Sequence, residues 1–91
     1  MARVLVVAEC EDPKKWRENF VKHVDLFRSM GATAPVSFGL DGNSVAVMLD
    51  VKDLNAYQKI LQSQATAEAM AMDGLRRETV KAFVLDGQLA V

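Results

Sequence analysis

The chain is poor in the residues that build covalent or metal frameworks. Cys10 is its only cysteine and His23 its only histidine, so an internal disulfide is excluded and no close set of Cys and His exists for a zinc site. Neither sign of charge is in excess: 11 Lys and Arg stand against 12 Asp and Glu. Nucleic acid and anionic membranes reward clustered cations, so neither is an expected partner. Glycine-rich phosphate cradles are missing, and no pair of carboxylates stands out, because Glu9, Glu11 and Asp12 sit where a helix N-terminus already accounts for them. The early apolar run Val4 to Ala8 is too short to cross a membrane and leads into acidic residues, not a small-residue cleavage site. A reducing cytoplasm is the expected compartment. No metal and no cofactor is expected.

What the chain does have is apolar surface, 51% hydrophobic residues in 91, enough for one domain over residues 1–91 and no second. Ala2 to Glu9 is β-branched and apolar on both faces, Leu5 and Val7 against Val4, Val6 and Ala8, which predicts a central strand covered on both sides. Asp12 followed by Pro13 is a helix start, and Gly31 is the matching stop. Between them Trp16, Phe20, His23, Val24, Phe27 and Met30 share one face of a single long helix. Two strands follow, Ala34 to Phe38 and Ser44 to Asp50, joined by the turn around Asp41-Gly42; Pro35 assigns the first of them to a sheet edge. Asp53 caps a second helical region with Leu54, Tyr57, Ile60 and Leu61 inward, a break near Ser63, and a stop at Gly74. Thr79 to Leu85 alternates as a last strand.

The order β-α-β-β-α-β, with right-handed crossovers, predicts an α+β fold: a four-stranded antiparallel sheet with two helices on one face and the second and fourth strands at the edges. The other face is also apolar, since Val45, Val47 and Leu49 oppose Ala46 and Met48. A twin subunit docking sheet to sheet is the economical cover, so a homodimer is expected.

This order, with Trp16 early in the first helix, the Gly39…Gly42-Asn43 hairpin and the stretch Ala69-Met70-Ala71-Met72-Asp73-Gly74, resembles the dimeric α/β-barrel superfamily of ferredoxin-like proteins. That superfamily includes the antibiotic-biosynthesis monooxygenases and many short stand-alone domains, and the chain also resembles small proteins encoded with prodigiosin-type pigment pathways. In the monooxygenases, Asn, Trp and His side chains around a cavity position a polycyclic substrate that reacts with oxygen without metal or flavin. The resemblance implies such roles for Trp16, Asn19 and His23.

The residues themselves leave alternatives open. An imidazole among aromatic rings needs a hydrogen-bond partner, and in its neutral form it can serve as a general base. His23 is therefore either a rim histidine bonded to backbone or water, or the base of a pocket with Asn19 orienting. Trp16, Phe20 and Phe27 are most simply core, or else they wall a flat apolar ligand. Met30, Met48, Met70 and Met72 fill core gaps or make an adaptable pocket. The Tyr57 hydroxyl reaches water or a pocket mouth. Arg76-Arg77-Glu78 reads as a solvated turn, or a carboxylate-recognising one, and Cys10 as a small strand-end residue or a nucleophile. Three function classes follow: a cofactor-free oxygenase, cyclase or isomerase acting on a hydrophobic small molecule between the first helix and the sheet; a non-catalytic binder of such a ligand; or a structural homodimer.

Overall fold

A computed structural model describes residues 2–91, with Ala34 by its backbone alone. The chain runs β1 (Ala2–Cys10), α1 (Pro13–Phe20), α2 (Val24–Ser29), β2 (Ala32–Asp41), β3 (Ser44–Val51), α3 (Leu54–Leu61), α4 (Gln64–Met72) and β4 (Leu75–Leu85). The four strands form one antiparallel sheet in the order β2-β3-β1-β4. This is the ferredoxin-like arrangement, with β2 and β4 at the edges as the sequence implies. Among the described residues no helix is long and apolar enough to cross a membrane.

The helix starts follow from side-chain capping. Asp12 Oδ1 accepts from the amides of Lys14 and Lys15 at 3.1 and 3.2 Å, and Asp53 Oδ1 repeats the device at Asn55 and Ala56 at 2.9 and 3.2 Å. Ser63 caps α4, so the break expected there is real. Gly74, at φ +71°, ends the helical region by turning through the left-handed conformation.

The single helix expected from Asp12 to Gly31 is in fact two. The amides of Lys22 and His23 turn back to the carbonyls of Asn19 and Phe20, each at 3.0 Å, so the ladder tightens to a three-residue step and stops. His23 leaves the helical conformation (φ −90°, ψ 28°), and its own carbonyl starts α2 by accepting from Phe27. Helical periodicity cannot show this break, because the residues on either side of it continue the same apolar face.

Strands β2 and β4 each carry an irregularity against their neighbour. Pro35 lies within the one in β2, between the pairs Thr33–Asp50 and Ser37–Met48, where its missing N–H interrupts nothing. Arg76-Arg77-Glu78 is not a turn but part of β4, in the stretch where the register against β1 shifts between Val7 and Glu9. Thr79 closes that stretch: its Oγ1 accepts from the Glu9 amide at 2.9 Å and donates to the Arg76 carbonyl at 2.6 Å.

The core lies between the sheet and the helices. Val4, Val45, Leu49 and Val51 from the strands, with Trp16, Met30 and Tyr57, are almost wholly buried. The opposite face carries Leu5 between Met48 and Phe83, which are 37% and 48% exposed. Met48 therefore points away from the helices. Its expected place in a pocket beneath them is incorrect, because Val47 and Leu49 take the inward positions and strand side chains alternate.

Candidate active site

The four helices and the sheet enclose a cavity of about 80 Å³. Its wall is almost entirely apolar: Trp16 and Phe20 from α1, Phe27 from α2, Val47 from β3, and Leu61 and Met70 from α3 and α4. The aromatic side interlocks. Trp16 stacks on Phe20 with centroids 4.5 Å apart, and Phe20 meets Phe27 edge-on at 5.3 Å. Trp16, Phe20 and Phe27, expected as either core or pocket, are both, since they pack the core and line its void, while Met70 lines the void.

Four polar side chains also reach the wall: His23, Tyr57, Thr66 and Asp73. His23 enters from the break between α1 and α2, which frees its side chain from the helix surface. Its Nε2 lies 2.9 and 3.0 Å from the two carboxylate oxygens of Asp73, the residue that ends α4. Both side chains are shielded, at 14% and 6% exposure. A carboxylate accepts only, so Nε2 is the donor. In the neutral ring this leaves Nδ1 with a lone pair, and Nδ1 has no partner among the described residues. Burial pushes the Asp73 carboxyl above its ordinary value, while the hydrogen bond and charge of His23 pull it back.

Asn19 does not reach the cavity. Its Nδ2 donates to the Met72 carbonyl at 3.2 Å, so it fastens the end of α1 to the end of α4 beside Asp73. The expected orienting contact with a ligand is replaced by a contact with backbone. Tyr57, expected at water or a pocket mouth, is buried inside, and its hydroxyl has no hydrogen-bond partner among the described residues. Cys10 is also buried, and burial followed by the charge of Asp12 pushes its thiol up, the opposite of what a nucleophile needs. Among the described residues no three His, Cys, Asp or Glu side chains converge as a metal site would require.

Asp73 and Thr66 are wall residues that the sequence reading missed. Thr66 gives no signal, since its hydroxyl is used across the turn between α3 and α4, where it donates to the Ile60 carbonyl. Asp73 gives a faint one. An acid in the last turn of a helix opposes the helix dipole, so its presence just before Gly74 asks for a cationic or N–H partner from elsewhere.

No family model and no curated protein matches the chain. Solved structures do. A protein assigned as an antibiotic biosynthesis monooxygenase from Bordetella bronchiseptica superposes with a TM-score of 0.74 at 11% identity, covering 97% of each chain. The fold is that of the antibiotic-biosynthesis-monooxygenase-like, ferredoxin-like proteins. SnoaB, a cofactor-independent oxygenase from Streptomyces nogalater, gives 0.68 at 14% identity over 99% of this chain and 94% of its own. At3g17210 from Arabidopsis thaliana gives 0.67 at 13% over 100% and 99%. At such identities the likeness is one of architecture, and it leaves the chemistry to be read from the side chains.

Proposed function

We propose that this protein is a small cofactor-independent enzyme, of oxygenase, cyclase or isomerase type, that removes a proton from a hydrophobic small molecule held between the helices and the sheet. The observation that carries this reading is the His23–Asp73 pair on the wall of an apolar cavity, with Nδ1 lacking a partner among the described residues. Asp73 holds the imidazole in one tautomer and orientation. Nδ1 takes the proton from a C–H or O–H of the ligand, the electron pair of the broken bond stays on the ligand, and the imidazolium that forms is stabilised by the adjacent carboxylate. Apolar walls exclude water and strengthen that charge interaction. The architecture shared with the oxygenase SnoaB supports the same reading.

The cavity volume bounds the ligand. A cavity of about 150 Å³ takes a benzene ring, and this one is about 80 Å³. A ring system therefore enters only if the wall yields, and the wall most free to yield is α2, which has no fully buried residue, together with the flexible Met30 and Met70 side chains.

A homodimer joined through the open face of the sheet belongs to the same proposal, because Leu5, Met48 and Phe83 form an apolar patch there that a second copy would bury. A cytoplasmic setting suits the single reduced thiol.

The test is turnover. Incubating the protein in D2O with a panel of hydrophobic ketones and phenols, with NMR detection of exchange and an oxygen electrode, is expected to reveal at least one substrate. The rate should fall about 100-fold or more in His23→Gln, the usual effect of removing a general base. If panel members bind in the cavity and none exchanges or reacts, the enzyme reading gives way to a non-catalytic binder. If nothing binds, the protein is a structural dimer.

A further inference from the structure

Tyr57 projects from the inward face of α3, is 2% exposed, and lines the cavity. Its hydroxyl is a buried polar side-chain atom without a partner among the described residues. Of its polar neighbours on the wall, Thr66 donates to the Ile60 carbonyl and Asp73 accepts from His23, while Nδ1 of His23 has no partner among the described residues. Buried hydroxyls are almost always hydrogen-bonded, and an orphan one calls for an explanation. Packing does not supply it, because phenylalanine would fill the same apolar wall without an unpaired O–H. Burial pushes the Tyr57 phenol up to about 12, so it remains protonated and has a hydrogen to give.

We propose that Tyr57 is the specificity-determining residue of this cavity, and that its ligand is an apolar small molecule carrying one hydrogen-bond-accepting oxygen of the carbonyl class, which takes the Tyr57 hydrogen bond. A hydrocarbon of the same shape would leave the hydroxyl unpaired. This inference rests on the reading of the cavity as a ligand site, although not on His23 acting as a base.

The experiment uses two isosteric probes, acetone and 2-methylpropene, which differ by an oxygen in place of a methylene. Each is titrated against the intact protein and its Tyr57→Phe variant, carrying 13C-labelled methionine methyls, with the Met70 methyl reporting occupancy. The expected result is that Tyr57→Phe weakens acetone by about fivefold, the effect of one neutral hydrogen bond, and leaves 2-methylpropene unchanged or tighter. The free variant should also melt higher than the parent, because the unpaired hydroxyl is gone. If the two probes shift together, or if the variant melts lower, the Tyr57 assignment is overturned while the cavity stands as a ligand site. If 2-methylpropene and acetone both fail to bind the parent protein, the ligand-site reading and this inference fall together.

Discussion

The side chain of His23 meets that of Asp73, fifty residues along the chain, with one ring nitrogen placed 2.9 and 3.0 Å from the two carboxylate oxygens. The contact joins the break between α1 and α2 to the end of α4. It therefore ties together the two crossover connections of the fold at the same point where it lines the cavity.

Removing one partner strands the other. His23→Ala should destabilise the protein by about 3 kcal/mol, because the shielded Asp73 carboxylate then has no counter-group. The double variant His23→Ala/Asp73→Ala should be less destabilised than the sum of the single changes. Urea unfolding of the four proteins measures this coupling, and strict additivity would show that the two groups do not interact.

The raised Asp73 carboxyl gives an acid-side pH dependence of definite sign. Since the native state holds this proton to a higher pH than the unfolded chain, whose value is 3.8, the native state binds more protons between the two values. The contribution of Asp73 to stability is then full below 3.8 and is lost as pH rises through the native value. Unfolding midpoints of the parent and Asp73→Asn, compared over this acidic range, should show the parent losing ground to the variant as pH rises. A difference that is flat, or that moves the other way, contradicts burial as the dominant influence.

Asn19 bonds the Met72 carbonyl and does not line the cavity. Asn19→Ala should cost about 1 kcal/mol, the typical worth of one hydrogen bond, with the loss felt at the end of α4. Probe binding at the Met70 methyl should persist. A loss of binding with no change in stability would place Asn19 on the ligand after all.

The open face of the sheet supplies the assembly test. Met48→Asp and Phe83→Asp each put a charge into the patch around Leu5, where a sheet-to-sheet interface would desolvate it. Sedimentation should show a dimer for the parent protein at micromolar concentration and monomers for the variants. A parent that sediments only as a monomer would falsify the sheet-to-sheet dimer.

The order of strands and helices was legible in the sequence because it depends on local signals: the Asp12-Pro13 and Asp53 caps, the Gly31 and Gly74 stops, the Gly42 turn, and alternation along β1 and β3. Pro35 even placed β2 at an edge, since a missing N–H is tolerated there and not in the middle of a sheet. These features depend on neighbours a few residues apart, and the tertiary fold did not alter them. The break at Val21 to His23 was invisible, because its apolar face continues through it and its amides are satisfied locally by the carbonyls of Arg17, Asn19 and Phe20. Met48 was placed in the pocket on its chemistry, but the pleat of β3 turns it outward. Tyr57 and Asp73 acquired their meaning only when folding buried one hydroxyl without a partner and set one carboxylate against the imidazole. Burial and pairing across fifty residues are properties of the packed molecule. Periodicity therefore settled the scaffold, while the contents of the cavity were decided by which side chains the fold removed from water together.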